Sequence, residues 1–182
     1  MKFNSIQFKD KLGREVLLRN AEVSDATALI DYLKITATET PYLIREPQEI
    51  TITLEQEKNF IENKIEAEGE LLLVALIDGK HIGNCSLMSI APYKRYAHRC
   101  GIAIALYQEY CGYGIGKMMM QTILDVAKKA GYEQAELEVI SDNKDAIALY
   151  KKFGFEKFGS FPNNMKYSDG TYANADWMMK KL

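Results

Sequence analysis

The sequence predicts an α/β fold in which one mixed sheet carries helices on both faces. Strand-length apolar runs alternate with longer segments of helical spacing, three strand-like runs follow one another in mid-chain, and a strand–helix–strand step comes next. Consecutive strands indicate an antiparallel meander, whereas the strand–helix–strand step indicates one parallel pair with a right-handed crossover. A sheet with both connections is mixed and differs from an all-parallel doubly wound sheet.

Two short strands and a helix are predicted at the start of the chain. Weak alternation begins at Ile6, a turn follows near Asp10–Gly13, and a second strand runs to Arg19. Ser24 is a typical N-cap for a helix whose apolar side chains recur at steps of three and four as far as Leu33.

A second helix is predicted after an irregular stretch that contains two prolines. Thr53 fits its N-cap, and Gln56, three residues later, completes a capping box. Phe60, Ile61 and Ile65 recur at helical spacing. The helix is then followed by Gly69, a residue type that commonly ends helices.

Three strands follow in succession. The run Leu71–Ile77 is continuously apolar, which is typical of a buried strand. Asp78-Gly79 is a strong hairpin signal, so His81–Ile90 is expected to pair back as the partner strand. A loop leads to a third strand over Arg99–Tyr107.

The second half alternates helices and strands. We predict a helix over Ile115–Ala130, a strand over Gln134–Ile140, and a short helix that begins at Asp142 or Asn143 and ends at Gly154. The last two strands are then expected over Phe155–Phe158 and Tyr172–Lys180, with turns at Asn163-Asn164 and Asp169-Gly170.

Composition excludes several classes of protein. The chain has 182 residues, 47% of them hydrophobic and 26% charged, with a net charge of −2, as expected for one globular domain over residues 1–182. No basic stripe indicates nucleic acid, and no stretch approaches the roughly 18 apolar residues of a membrane span. The three cysteines cannot all pair and the start lacks an apolar signal core, so we expect a cytoplasmic protein without a metal site.

A glycine-rich segment, Cys111-Gly112-Tyr113-Gly114-Ile115-Gly116, lies between a strand and a helix. Such a turn presents unpaired backbone N–H groups at the positive end of the helix dipole, which favours an anion and most often a phosphate. A P-loop would need Ser or Thr after Lys117, where Met118 stands, and the dinucleotide fingerprint has another glycine spacing. A tight turn without a ligand is the alternative.

This loop and a second motif together resemble the Gcn5-related N-acetyltransferase (GNAT) superfamily over about Ile102–Phe158. The second motif reads Leu137-Glu138-Val139-x-x-x-Asn143-x-x-Ala146-x-x-Leu149-Tyr150-x-Lys152-x-Gly154-Phe155. The resemblance implies the GNAT fold, with splayed central strands, and acetyl-CoA as cosubstrate. It places the cofactor half at about 99–158 and the elements of the acceptor site at 20–70 and 160–182.

The resemblance also assigns residues to the cofactor. It places the pantetheine amides on the strand Ile104-Ala105-Leu106 and a contact with the cofactor arm on Asn143, for which a helix cap is the alternative. The family's first loop position holds Gln or Arg, but here it is Cys111, so we expect weaker phosphate binding. The pyrophosphate is assigned to Gly112, Tyr113, Gly114, Ile115, Gly116 and Lys117.

Two residues are implied in catalysis. Tyr150 matches the tyrosine that donates a proton to, or hydrogen-bonds, the departing thiolate, although it also fits a core stripe. Glu138 matches a position that some relatives use as general base, with Glu109 and His98 as weaker candidates. Direct acetyl transfer to a primary amine is expected. A non-catalytic acyl-CoA-binding module is the alternative, and O- or hydrazine-type transfer is a third.

The acceptor site is expected between the N-terminal helix pair with the loop around Tyr42–Pro47 and the last hairpin, Tyr167–Trp177. Acidic side chains of the loop region, Glu39, Glu46 and Glu49, could attract a cationic amine or simply be solvated. We expect Trp177 to pack within the terminal strands. The acceptor is a small molecule or a protein amine, and homodimerisation through the terminal strands is left open.

Overall fold

The computed structural model describes every residue from Met1 to Leu182. Its eight strands are β1 (Ile6–Lys9), β2 (Glu15–Asn20), β3 (Leu71–Ile77), β4 (Lys80–Ser89), β5 (Arg99–Leu106), β6 (Gln134–Ile140), β7 (Glu156–Lys166) and β8 (Tyr172–Lys181). Its four α-helices are α1 (Ala26–Glu39), α2 (Leu54–Glu66), α3 (Ile115–Lys129) and α4 (Lys144–Lys152). The strands form one mixed sheet in the order β1-β2-β3-β4-β5-β6-β8-β7, which confirms the expected fold class and element order.

The two N-terminal helices begin differently from one another. Ser24 lies in a 3₁₀ turn before α1 and caps no backbone N–H, so its expected role is wrong. The Asp25 carboxylate accepts the Glu22 N–H at 2.8 Å instead. For α2 the capping box is confirmed, since Thr53 accepts the N–H of Gln56 and the Gln56 side chain accepts the N–H of Thr53.

The last two strands are longer than the sequence suggests. Asn163-Asn164 is not a turn between strands, because β7 continues through it as a bulge with the pairing shifted between Phe161 and Met165. Asn163 has a φ of +53°, which asparagine tolerates better than most residues, so the chain keeps its direction after the irregularity. The turn at Asp169-Gly170 is confirmed, and it joins β7 to β8.

Two helical layers cover opposite faces of the sheet. Side chains of β3 alternate, so that Leu73 joins the buried cluster beneath α3 and α4 whereas Val74 joins the cluster beneath α1 and α2. Both clusters are apolar and account for most of the core. No helix combines the length and apolar character that crossing a lipid bilayer requires.

The sheet opens between β5 and β6. These strands run parallel but pair only over Arg99–Gly101 with Gln134–Glu136. Further along, β5 stays paired with β4 and β6 stays paired with β8, while residues 102–106 and 137–140 face one another without hydrogen bonds. The space between these two segments, called the interstrand gap below, confirms the expected splay of the central strands.

Candidate active site

The start of α3 presents a row of free backbone donors. The N–H groups of residues 112–117 donate no hydrogen bond, and the first one used is that of Met118, which binds Gly114 O at 3.2 Å. Gly112 and Gly114 have φ values of +84° and +89°, a region that favours glycine. Free N–H groups at a helix N-terminus can bind an anion, and these are the residues to which the sequence analysis assigns the pyrophosphate.

Gly116 connects this loop to the interstrand gap. A Cβ at Gly116 would lie 3.6 Å from Leu106 Cδ1 at the end of β5 and 3.7 Å from Leu149 Cδ2 on α4. Both distances are ordinary van der Waals contacts, so the first turn of α3, the end of β5 and α4 pack next to one another at Gly116. The row of free donors leads directly to the mouth of the gap.

The backbone of β5 supplies further groups to the gap. The N–H of Tyr107 donates to Ile82 O of β4 at 3.0 Å. Because backbone groups alternate sides along an antiparallel strand, those of Ile104 and Leu106 point away from β4 and into the gap. Those of Ala105 point to β4, so this residue offers the gap no backbone hydrogen bond.

Tyr150 lies on α4 in the buried cluster that also contains Leu137 and Val139 of β6. Its ring packs against Phe155, with 6.0 Å between the ring centroids. Burial raises the pKa of Tyr150 to about 12, so the phenol stays protonated at neutral pH. Its hydroxyl forms no hydrogen bond with the protein and is not among the fully buried unpaired polar atoms. The residue is thus a core residue whose protonated hydroxyl has no hydrogen-bond partner within the protein.

Glu138 lies on the opposite face of the sheet. It follows Leu137 on β6, so strand alternation directs its side chain away from the cluster that holds Tyr150. Asn164 Nδ2 donates to one carboxylate oxygen at 2.9 Å, and Trp177 Nε1 donates to the other at 2.7 Å. Each oxygen keeps a lone pair for a further donor. The carboxylate is therefore held in place yet exposed beside the gap.

Trp177 only partly follows the expectation that it packs within the terminal strands. It lies in β8 and its ring stands near Phe158 and Phe161, with centroid distances of 6.2 and 6.1 Å. All three side chains are exposed, however, with Trp177 at 39%. Together with Glu138 they form an aromatic surface next to a carboxylate on the open face of the sheet.

The two weaker candidates for the base lie elsewhere. Glu109 pairs with Lys80 at 3.4 Å on the turn between β5 and the glycine loop. His98 precedes β5, and its carbonyl accepts the N–H groups of Glu133 and Gln134 at the end where β5 and β6 are paired. His98 therefore lies next to the closed end of the gap, and Glu109 lies on the turn that follows the last residue of β5.

Asn143 is a helix cap in this structure. Its Oδ1 accepts the N–H of Ala146 at 3.3 Å at the start of α4, which confirms the structural alternative. Cys111 directs its thiol to Tyr107 O at 3.6 Å. Burial, with smaller contributions from Glu39 and Asp145, raises the pKa of this thiol, so Cys111 is not a nucleophilic thiolate at neutral pH.

The loop after α1 reaches the far end of β6. Tyr42 and Tyr167 pack on a small buried cluster that contains Ile140, and the Tyr42 hydroxyl lies 3.5 Å from Asp142 O. The loop and the last hairpin therefore meet on the face that carries Glu138.

The acidic side chains near this loop have structural partners. Glu39 accepts the N–H of Gln108 at 2.9 Å. Glu46 and Glu49 form a reciprocal capping box around the 3₁₀ turn Pro47–Glu49.

Residues 31–155 match the family model described as the Acetyltransferase (GNAT) family. The chain belongs to the GNAT acetyltransferase family. The GNAT resemblance of the glycine loop and the second motif is thereby confirmed, and the chain is an acyltransferase that uses acetyl-CoA.

Two curated relatives support the GNAT assignment over different lengths. L-amino acid N-acetyltransferase AaaT of Escherichia coli is 29% identical over 59% of this chain and 66% of its own length. An N-alpha-acetyltransferase of Sulfurisphaera tokodaii is 27% identical over 81% of this chain and 84% of its own length.

Solved GNAT structures share the fold across most of the chain. An acetyltransferase of the GNAT family from Streptococcus pneumoniae has a TM-score of 0.87 and 25% identity, covering 92% of this chain and 99% of that one. A phosphinothricin acetyltransferase from Sinorhizobium meliloti in complex with acetyl-CoA has a TM-score of 0.80 and 21% identity, covering 92% of this chain and 88% of that one.

Sequence analysis of this GNAT chain missed the partners of Glu138. Trp177 reaches Glu138 because β8 pairs with β6 and thus lies between β6 and β7. Asn164 reaches it through the bulge in β7. No local spacing signals either contact, since strand order at this edge depends on the packing of the whole sheet.

Proposed function

We propose that this GNAT chain transfers the acetyl group of acetyl-CoA to a primary amine by direct attack within a ternary complex. The observation that carries the proposal is the pair of groups on either side of the interstrand gap. Tyr150 belongs to the apolar layer on one face of β6, and Glu138 is exposed on the other. The proposed acid and the proposed base thus lie on opposite faces of β6, the strand that borders the gap.

The cofactor is proposed to bind along the gap. Its pyrophosphate would accept hydrogen bonds from the free N–H groups of residues 112–117. Its pantetheine arm would enter between β5 and β6 as an added strand, using the backbone groups of Ile104 and Leu106. Asn143 would contact the arm from the start of α4 while it caps that helix. This arrangement puts the thioester near the unpaired end of β5.

Glu138 is proposed as the general base. An alkylamine has a pKa near ~10.4, so deprotonation at neutral pH costs roughly 4–5 kcal/mol. Once the neutral amine attacks, its nitrogen becomes strongly acidic, and a fixed carboxylate on the acceptor face would then take the proton, directly or through a water. The hydrogen bonds from Asn164 and Trp177 keep the carboxylate oriented and leave a lone pair on each oxygen.

Leu106 is proposed to stabilise the oxyanion, and Tyr150 is proposed to assist the leaving thiolate. When the amine attacks the thioester carbon, the oxygen becomes an anion that the Leu106 N–H in the gap would stabilise. The carbon–sulfur bond then breaks, and Tyr150 donates a hydrogen bond or its proton to the leaving thiolate. Glu138 passes the amine proton to solvent, and solvent returns a proton to Tyr150 where the phenol has lost its own. The amine receives the acetyl group with no acyl-enzyme intermediate.

The proposed acceptor is a primary amine of a small molecule or a protein. Two curated relatives are named for N-acetylation of amino acids and for N-alpha-acetylation, which supports an amine acceptor here. We also propose a cytoplasmic protein, supported by three free cysteines, and leave a homodimer as a further proposal.

Thiol release from acetyl-CoA across a panel of amines tests the proposed reaction. The panel contains free amino acids, polyamines and peptides with free N-termini, and we expect release above the hydrolysis rate with at least one class. Varying both substrates should give intersecting double-reciprocal lines. Parallel lines would overturn direct attack, and no release with any amine would overturn amine transfer.

A further inference from the structure

The turn between β1 and β2 contacts the glycine loop from behind. This hairpin turn, Asp10–Arg14, meets the loop through Lys11, whose backbone N–H donates to Tyr113 O at 3.0 Å. The Lys11 ammonium donates to Gly112 O at 2.9 Å. A Cβ at Gly114 would lie 3.7 Å from Lys11 Cγ. One residue of the turn therefore engages two successive carbonyls of the loop.

These two contacts fix the direction of the donors on the other side. In a planar trans peptide the carbonyl of one residue and the N–H of the next point in opposite directions. Because Lys11 holds the carbonyls of Gly112 and Tyr113, it turns the N–H groups of Tyr113 and Gly114 away from itself. These N–H groups are two of the six free donors at the start of α3.

The hairpin turn is itself held rigidly. The Asp10 carboxylate is buried and accepts the backbone N–H groups of Leu12 and Arg14, each at 2.9 Å. It also pairs with the Arg14 guanidinium at 2.7 Å. That guanidinium lies 5.2 Å from the Tyr110 ring and 5.1 Å from the Tyr113 ring. The turn and the loop therefore form one supported unit.

We propose that Lys11 is a positioning residue for phosphate binding, which holds the glycine loop so that its N–H groups converge on the pyrophosphate of acetyl-CoA. The inference rests on the proposed placement of the pyrophosphate at residues 112–117. Lys11 thus supports the loop from a different segment of the chain. The first position of the loop itself holds Cys111 in place of the Gln or Arg of the family pattern.

The test compares Lys11→Met with a matched control, Lys9→Met, which removes the same charge from the same hairpin. Lys9 is exposed and pairs with Glu15 at 3.4 Å, away from the loop. Calorimetry measures the affinity of each variant for coenzyme A and for 3′-dephospho-coenzyme A, and steady-state kinetics give kcat and KM. Thermal melting checks folding.

We expect Lys11→Met to weaken both ligands by the same factor, about tenfold, because a charge-assisted hydrogen bond is lost. The KM for acetyl-CoA should rise in parallel, with kcat within twofold and melting unchanged. Lys9→Met should match the wild type, and Lys11→Arg should restore most of the affinity.

Two results would overturn the inference. Unchanged affinity in Lys11→Met would show that the loop holds its geometry alone. A loss seen with coenzyme A but absent with the dephospho form would make Lys11 a direct ligand of the 3′-phosphate. Failure of the wild type to bind either ligand would instead overturn the proposed cofactor site.

Discussion

Trp177 Nε1 donates a 2.7 Å hydrogen bond to Glu138 Oε2, and this bond joins neighbouring strands next to the opening in the sheet. The indole remains 39% exposed, so it is not placed there to fill the core. Its N–H and the amide of Asn164 restrict the carboxylate to one orientation. A base that must meet an amine in a defined pose benefits from such restriction.

Replacing Glu138 with Gln should lower kcat by about 10²-fold, within the usual range for loss of a general base. The KM for acetyl-CoA should change little, because the side chain lies on the acceptor face. Steady-state kinetics with the best amine of the panel measures both. As a control, Trp177→Phe keeps an aromatic ring but loses the N–H donor, and it should lower kcat only a few-fold. A Glu138→Gln enzyme with near wild-type kcat would assign deprotonation to water.

Replacing Tyr150 with Phe should reduce kcat at least about tenfold and leave cofactor affinity nearly intact. The variant removes only the hydroxyl, which has no protein partner, so the packing against Phe155 is preserved. Kinetics and calorimetry with coenzyme A separate the two effects. Equal loss of kcat and affinity would identify Tyr150 as a packing residue alone.

Since burial raises the pKa of Tyr150 to about 12, its ionisation should not limit activity below about pH 10. A plot of kcat against pH should therefore show no decrease in that range that is due to Tyr150. If the wild type loses activity there and Tyr150→Phe does not, the phenol ionises at a lower pH than its buried environment implies.

Replacing Gly114 with Val should abolish cofactor binding. Gly114 has a φ of +89°, which a β-branched residue strongly disfavours, so the loop must change its backbone. The added Cβ would point toward Lys11, so the effect comes from backbone strain and loss of the loop geometry. Gly170→Val is a matched control, because Gly170 has a φ of +87° in a distant turn with nothing near its Cβ position. Calorimetry should show binding by the control and none by Gly114→Val.

His81 is buried beside Tyr32 and Tyr107, with ring centroids 5.0 and 6.2 Å away. Neither ring nitrogen has a hydrogen-bond partner. Burial lowers the pKa of His81 to about 4, so the imidazole is neutral in the folded protein at neutral pH. In the unfolded chain the same group titrates near ~6.5.

Acidification should therefore destabilise the protein through His81. Between about pH 6.5 and 4 the unfolded state binds a proton that the folded state does not, so stability falls as pH falls, by up to about 3 kcal/mol. His81→Leu removes this contribution. Denaturant unfolding at pH 7 and pH 4.5 should show a smaller loss of stability in the variant than in the wild type. Equal losses would assign acid sensitivity to other groups.

The sequence allows the order of the elements and the glycine loop to be predicted because their signals are local. The glycine loop and the Asp78-Gly79 hairpin can be recognised because few other conformations require their residue types. The start of α1 is predicted wrongly because Ser24 and Asp25 are adjacent residues that can both cap a helix. The bulge at Asn163 is predicted as a turn because asparagine is common in both turns and bulges.

The features of the site that the sequence does not predict are contacts between residues far apart in the chain. Lys11 meets Gly112 across 101 positions, and Trp177 meets Glu138 across 39. Such contacts follow from which strand lies next to which, and periodicity carries no information on that order. Tyr150 and Glu138 could be named as candidates from the second motif, but the groups that contact the loop and the carboxylate could not be.

Only three residue pairs join the five-stranded and three-stranded parts of the sheet. A molecule that binds between the two parts would stabilise the sheet, because a ligand that binds only the folded state shifts the folding equilibrium toward that state. The lifetime of the enzyme under proteolysis would then follow the supply of its acetyl donor.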